Sequence, residues 1–386
     1  MKKSTPKLAK IMNRELIINE LKSNPEQSRA DLSKKTKLSK PTVSEIVNDL
    51  IKEELVFETG VGPSSGGKKP IYLVYNARSS YVIGISIEND IIFFAIADMN
   101  GEIIKVSQTI FTSQTEGQII IDLIIEGIMS LLESVKADFK KVLGVVVGIS
   151  GIEMDSEGII ISSPTIKWHD INLRKELLNR LKKDVIVEND VNLMTVGEFY
   201  KGQGKNISDF VYLFIGNGIG SGLFLNGKLY KGFHSASGEI GYMMLGDEQK
   251  MNLDSGVFET NYGMFGVTKK LREINVNPTD GKNYSLLQVL QKHKDDKMVG
   301  NILNDTIDHW AKVTINIISL IDPQAVIISG ELVNMDQSSL NRYKQTIEKF
   351  VPRRMPEIKA TELGSKAGLY GAVYLALENF STSVLK

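Results

Sequence analysis

SRADLSKKTKLSKPTVSEIVNDL, residues 28–50, reads as a helix, a tight turn and a second helix. Ser28 suits the first N-cap, its hydroxyl accepting a backbone N–H left free at the helix start. Ala30, Leu32 and Leu38 supply small apolar groups around the turn. Ser39 caps the second helix, and Pro41 falls in its first turn, where a missing N–H costs nothing. Val43, Ile46, Val47 and Leu50 recur at i, i+3, i+4 and i+7, one apolar stripe. The other face carries Lys40, Thr42, Ser44, Glu45 and Asn48. A second helix of this kind offers its N-terminal residues to base edges in the major groove, so Lys40, Thr42 and Ser44 are candidate base or phosphate contacts. Arg29 and Lys34 on the preceding helix are placed for phosphates, which set register without reading sequence. Upstream, residues 6–23 complete a three-helix core through Leu8, Ile11, Ile17 and Leu21. Downstream, LVFETG and KKPIYLVYN read as two strands around a wing loop containing Gly62, Gly66, Gly67, Lys68 and Lys69. Gly67 lets the backbone approach DNA closely, and Lys68 and Lys69 neutralise phosphate.

Charge agrees with this reading. Residues 1–70 hold 14 Lys and Arg against 9 Asp and Glu, a net of +5; the whole chain has 46 of each, leaving −5 for the remainder. A basic head on an acidic body points to nucleic acid at one end only, the alternative being a docking or dimerisation module with a solvated lysine face. No apolar run approaches ~18 residues without charge, as a membrane span requires. The first residues lack the apolar core of a signal peptide, and no cysteine exists to form a disulfide or a thiolate. A cytoplasmic protein with no membrane partner is expected. The sequence shows no heptad run and no internal repeat.

The remaining residues alternate strands with helices. YVIGISIENDIIFFAIAD (81–98) is a strand, a turn and a strand, followed by a turn at Met99-Asn100-Gly101. A helix over 116–135 precedes the buried strand VLGVVVGIS (142–150); DVIVEND (184–190) runs into a helix from Val191; DFVYLFIG (209–216) opens onto the glycine-rich GNGIGSG (216–222). AVIISG (325–330) is a further buried strand, and GLYGAVYLALEN (368–379) a small-residue helix. The alternation predicts an α/β class, with ligands where strands end.

Five runs in this order are similar to those of the ROK family of repressors, open reading frames and sugar kinases: VENDVN (187–192), GNGIGSG (216–222), GEIGY (238–242), DPQAVIISG (322–330) and LGSKAGLYGA (363–372). With its head, the chain resembles the family's repressor branch, which includes xylose-repressor-like members. The resemblance implies an α/β fold in which a winged helix-turn-helix (1–78) precedes an actin-like, hexokinase-like body. One lobe of that body is expected from 79–190 and 320–386 and the other from 191–319, with ligands in the cleft between them. It implies sugar contacts at Asn189 and Asp190, where Asp190 takes the position of the kinases' general base, and at Glu239 and Glu259. Asp190 also suits a cap for the helix from Val191, a role compatible with ligand binding. Trp168, in SPTIKWHD, is a candidate pocket wall and equally a candidate core residue. The implied partners are operator DNA, a monosaccharide effector (xylose or a glucose-like sugar) and a second copy of the chain.

The chain departs from the family's kinases in two places. Where they carry an Asp-x-Gly-Gly-Thr-Lys phosphate loop, this sequence has Ser86-Ile87-Glu88-Asn89-Asp90-Ile91, and carboxylates there repel phosphate. The second loop keeps Gly216, Gly218, Gly220 and Gly222 but has Asn217, and the adenosine-side Gly-Gly is Gly330-Glu331. ATP binding and kinase activity are therefore not expected, an active kinase with an ancillary head being the alternative. The family's zinc is held by one His and three Cys. Tyr242 stands at the His position and Lys250, Asn252 and Val257 at the Cys positions, so neither zinc nor any other cofactor is expected. The family His also orients the sugar, so Tyr242 implies an altered sugar contact. Retention of Asn189, Asp190, Glu239 and Glu259 argues against a cleft emptied of function in a regulator controlled by a protein partner.

Overall fold

The computed structural model describes residues 6–61, 69–112, 115–154, 159–162, 166–168, 171–246, 256–278, 285–351 and 355–381. The head comprises α1 (Pro6–Ser23), β1 (Gln27–Ser28), α2 (Arg29–Thr36), α3 (Lys40–Lys52), β2 (Val56–Val61) and β3 (Ile71–Tyr75). Ser28 forms a capping box: its hydroxyl accepts from Asp31 N, and the Asp31 carboxylate accepts from Ser28 N at 3.1 Å. Ser39 caps α3 by accepting from Thr42 N. The stripe Val43, Ile46, Val47 and Leu50 packs on Ile17, Leu21 and Leu32, as the spacing predicts. Leu8 and Ala30 do not join this core: Leu8 lies at the exposed start of α1, and Ala30 faces solvent on α2. The strand β1, which the sequence reading lacks, pairs with β3 and ties the start of α2 to the wing sheet.

The first lobe begins with the antiparallel strands β4 (Tyr81–Glu88), β5 (Ile91–Asp98) and β6 (Ile103–Ile110). After β7 (Thr115–Glu116) and α4 (Gly117–Val135), β8 (Val142–Ile149) pairs parallel with β4. The short strands β9 (Ile152–Met154) and β10 (Ile159–Ser162) pair with each other, and β11 (Ile166–Lys167) pairs with β7. Then α5 (Leu173–Leu181) leads to β12 (Asp184–Asn189), parallel to β8. The sheet order is β12-β8-β4-β5-β6. One face is covered by α4 and α5, whose isoleucines and leucines pack on Ile83, Ile85, Phe94 and Val145. The head sits on this lobe: Met99, in the turn after β5, is buried in the head's core with Leu143 and Leu377 alongside, and Lys22 Nζ donates to Met99 O at 3.0 Å.

The chain crosses through α6 (Asp190–Lys201) to the second lobe. There β13 (Phe210–Ile215), β14 (Ile219–Leu225) and β15 (Lys228–Tyr230) are antiparallel. Next come α7 (Val257–Tyr262), α8 (Met264–Glu273), α9 (Leu286–Lys292) and α10 (Lys297–Ile321), then β16 (Ala325–Gly330), α11 (Gln337–Phe350) and β17 (Glu357–Ala360). The sheet order is β15-β14-β13-β16-β17, with β16 and β17 parallel to β13. Both lobes thus build the same sheet, three antiparallel strands extended by two parallel ones, although no repeat is visible in the sequence. The expected boundary at 320 is corrected: β16 pairs with β13 from Phe210↔Ala325 to Ile215↔Gly330, so residues 325–360 belong to the second lobe. An apolar run such as AVIISG suits the centre of either sheet; only pairing decides which.

The last helix, α12 (Lys366–Phe380), returns to the first lobe, packing Leu369, Ala372 and Val373 on Val82, Ala95 and Val146. Beside it lies α6, and the two helices fill the space between the sheets, with Val191, Met194 and Ala367 facing β13 and β16. Their contact depends on glycine. A Cβ on Gly197 would lie 2.1 Å from Ala367 O, and one on Gly371 would lie 1.8 Å from Leu193 O. The backbones therefore touch directly. Gly371→Ala is expected to cost about 3 kcal/mol, read as a lowered urea midpoint; an unchanged midpoint would show that the helices separate freely.

Candidate functional site

The sheets' carboxyl ends and the start of α6 face each other across a cleft of about 700 Å³, where ligand sites of open α/β sheets lie. Asn189 is the N-cap of α6: its Oδ1 accepts from Asn192 N at 3.1 Å, while its Nδ2 donates to Gly151 O at 3.1 Å. Asp190 is therefore not the cap but the first helical residue, its Oδ1 accepting from Val191 N at 2.8 Å. From the second lobe come Glu239, after the left-handed Gly238, and Glu259 of α7, whose Oε2 accepts from Ile219 N at 2.7 Å. Tyr242 lines the mouth and is 45% exposed. The cleft thus brings together Asn189, Asp190, Glu239, Tyr242 and Glu259.

Trp168 is a correction. It is 4% exposed and belongs to the core under α4, where a Cβ on Gly117 would lie 2.8 Å from its ring. Its ring fills the space that glycine leaves at the start of that helix, so it does not line the cleft.

Two features were not legible as parts of the site. Glu88, read from sequence only as an obstacle to phosphate, is a wall of the cleft, where Ser86 Oγ donates to its Oε1 at 3.0 Å. Glu188, 4% exposed, accepts from Asn192 Nδ2 at 2.9 Å and from Lys231 Nζ. Lys231 lies in the second lobe on the loop that leads to Glu239, so this ion pair joins the lobes just behind Asn189 and Asp190. A buried carboxylate in a parallel strand needs such a partner, and that is the signal by which sequence could have found Lys231.

The electrostatics are one-sided: among the described residues that line the cleft there is no Lys, Arg or His. Burial pushes Asp190 up to about 7, with Glu88 and Glu239 adding repulsion. Burial likewise pushes Glu88 up to about 7 against the Ser86 hydrogen bond. Glu239 is pushed up to about 7 by burial and then by Glu259. Burial also raises Glu259, opposed by the bond from Ile219 N. Carboxyls raised to about 7 accept hydrogen bonds when ionised and can also donate when protonated, and either form can bond the hydroxyls of a polyol.

The donor set does not fit zinc. Tyr242 is a phenol, Val257 is a buried alkyl group with no donor atom, and Lys250 and Asn252 lie outside the described residues. In the head, Lys40 is exposed at the first turn of α3 and Ser44 is half-buried beside it. Thr42 Oγ1 lies 2.8 Å from Ser39 Oγ, bound into the cap. Arg29 donates to Glu58 Oε1 at 3.0 Å and Asn48 Oδ1 at 3.1 Å, so reaching a phosphate requires giving up these bonds. Lys69 is exposed; Gly62, Gly66, Gly67 and Lys68 lie outside the described residues.

Residues 82–379 match the profile of the ROK family, and residues 13–56 match a winged helix-turn-helix DNA-binding profile. The chain belongs to the ROK family. The xylose repressor of Bacillus subtilis (strain 168) is 29% identical over 377 residues, covering 96% of each chain. The crystal structure of a ROK family transcriptional regulator, described as a homolog of the E. coli MLC protein, superposes with a TM-score of 0.76 at 18% identity and covers 98% of both chains. A ROK family glucokinase from Streptomyces griseus, solved with glucose and AMPPNP, has a TM-score of 0.63 at 22% identity and covers 78% of this chain and 100% of that one. The ROK fold with a winged head is thereby established.

The raised carboxylates predict a pH signature. Folded, Asp190 titrates near 7; unfolded, near its ordinary value of 3.8. The folded state holds the extra proton between these values, so the stability Asp190 contributes is full below the lower one and lost as pH rises through the upper one. Asp190→Asn abolishes that loss. Its melting temperature is expected to exceed that of the unsubstituted protein by more at about pH 8 than at about pH 5, and a pH-independent difference would refute the raised value.

Proposed function

We propose that this ROK protein is a sugar-responsive DNA-binding transcriptional repressor of carbohydrate-utilisation genes, and that sugar in the interlobe cleft weakens its hold on operator DNA. The observation that carries this reading is that a winged head is packed directly on the lobe that carries half of the cleft. The effector is a monosaccharide unit held by Asn189, Asp190, Glu239 and Glu259, with Tyr242 at the mouth. Xylose is the first candidate because relatives covering the whole chain bear the name xylose repressor. The acceptor-rich lining supports a neutral polyol.

The signal has a physical route. α6 starts at Asn189 and Asp190 and packs along α12, whose Leu377 reaches the head's core beside Met99. A sugar that draws Glu239 and Glu259 toward Asp190 moves α6 and α12 against the joint that carries the head. By linkage, such a sugar binds the DNA-free form more tightly. Two heads on a two-fold axis match a palindromic operator, so the working form is a cytoplasmic homodimer with no membrane partner.

Kinase activity is not part of this reading. The Glu88 carboxylate stands at the first phosphate position, Glu331 accepts from Leu287 N rather than facing a nucleotide, and no cation lines the described cleft. The residues therefore do not fit ATP, and no sugar-dependent ADP release is expected.

Two outcomes test the proposal. Lys40→Ala is expected to weaken operator binding in a gel shift and to reduce the slope of log affinity against log salt by about 1, with sugar binding unchanged. Asp190→Ala is expected to keep operator binding but lose the response to sugar, with calorimetric affinity falling at least about 100-fold. Operator binding by the unsubstituted protein that no sugar alters would remove the effector from the proposal.

A further inference from the structure

The cleft extends beyond the residues that hold one sugar ring. Besides those residues its lining includes Glu88, Ser329 at the end of β16, Val333, Thr361 and Ser365 ahead of α12, and Phe214 of β13. The hydrogen bonds of this far half are informative. Ser329 Oγ donates to Leu213 O at 3.1 Å, and Thr361 Oγ1 donates to the Glu198 carboxylate. Both hydroxyl protons are engaged inside the protein, and Thr361 Oγ1 also accepts from Leu363 N at 3.2 Å, so each hydroxyl turns at most its remaining acceptor capacity toward the cleft, next to the Tyr212 hydroxyl. Glu88 is a further acceptor, its Oε1 already held by Ser86 Oγ. Phosphate binds best to cations, and no Lys, Arg or His lines either half among the described residues, where Asn89 and Asn217 are neutral amide donors. A carbohydrate hydroxyl satisfies such a wall by donating, and the Phe214 ring provides an apolar surface for the C–H face of a pyranose.

Size agrees. About 700 Å³ lies well within the range of about 300–1,000 Å³ that takes drug-sized ligands, more than one pentose or hexose ring fills.

We infer that the far half of the cleft is a second sugar subsite, and that the effector this protein prefers is a neutral disaccharide or longer oligosaccharide whose second ring lies between Glu88 and the Ser329–Thr361 wall. The inference rests on the sugar-effector reading above and deepens it. Joining two rings makes the second contact intramolecular, so the linked effector outcompetes its own monomer. The half of the fold that a nucleotide would need becomes the half that reads chain length.

The test is calorimetry of the full chain with xylose, glucose, xylobiose, cellobiose and AMPPNP, repeated on Val333→Trp. Val333 is 42% exposed at the rim of the far half and away from Asn189, Asp190, Glu239 and Glu259, so the bulky side chain obstructs only the second ring. Thermal melting of the variant confirms that it folds. At least one disaccharide is expected to bind about tenfold or more tightly than its monomer, and Val333→Trp is expected to remove that advantage while leaving the monomer's affinity unchanged. A monosaccharide that binds as tightly as every disaccharide overturns the second subsite and leaves the sugar-effector reading intact. So does a disaccharide advantage that a folded Val333→Trp retains. AMPPNP binding that Val333→Trp blocks overturns it in favour of a nucleotide. Silence with every sugar overturns both readings.

Discussion

The direct backbone contact of α6 with α12 is the constraint on which the rest of the molecule depends. Gly197 and Gly371 allow two helices to lie closer than side chains permit, and the pair then serves as the inner layer for both sheets at once. Each sheet needs its two faces covered, because its central strands are apolar on both sides. The outer faces take α4 and α5 in one lobe and α7 to α11 in the other. The inner faces share α6 and α12. Without the close contact the sheets would stand apart, and the carboxylates of the two lobes would no longer face one another.

The cleft is a place where stability gives way to binding. Glu88, Asp190 and Glu239 all sit where burial penalises their charge, and among the described residues Lys231, behind the site, is engaged with Glu188. Gathering like charges with no cation among the described lining residues is unfavourable in the empty protein. Under the proposed sugar reading, donating hydroxyls would offset this cost. Lys231 joins the lobes behind the site.

The head was legible in sequence because its determinants are local. Ser28, Ser39 and Pro41 fix helix starts within a turn, and the stripe from Val43 to Leu50 fixes which face is buried. The segments that hold Asn189, Asp190, Glu239 and Glu259 were legible through motif order. What was not legible depends on contacts between residues distant in the chain. The strand AVIISG looks the same in either lobe until its pairing with β13 is known. Trp168 is aromatic whether it walls a pocket or fills a core, and the small neighbour Gly117 decides the matter. The pairing of Arg29 with Glu58 and Asn48 joins a helix to a strand of the wing and has no trace in periodicity. The duplicated sheet escapes sequence altogether, since strand order is a property of pairing and many different apolar runs satisfy it.

That duplication has a mechanical consequence. Each lobe has its own sheet and core, and among the described residues the chain passes between them where α6 enters the second lobe and where α12 leaves it. Two adjacent crossings in one interior layer act as a pair of hinge pins on a common line. A movement of one lobe against the other would turn about this layer and would strain the Lys231–Glu188 pair that joins them. Under the proposed sugar response, such a turn would reach the head through α12, whose Leu377 packs beside the head's core.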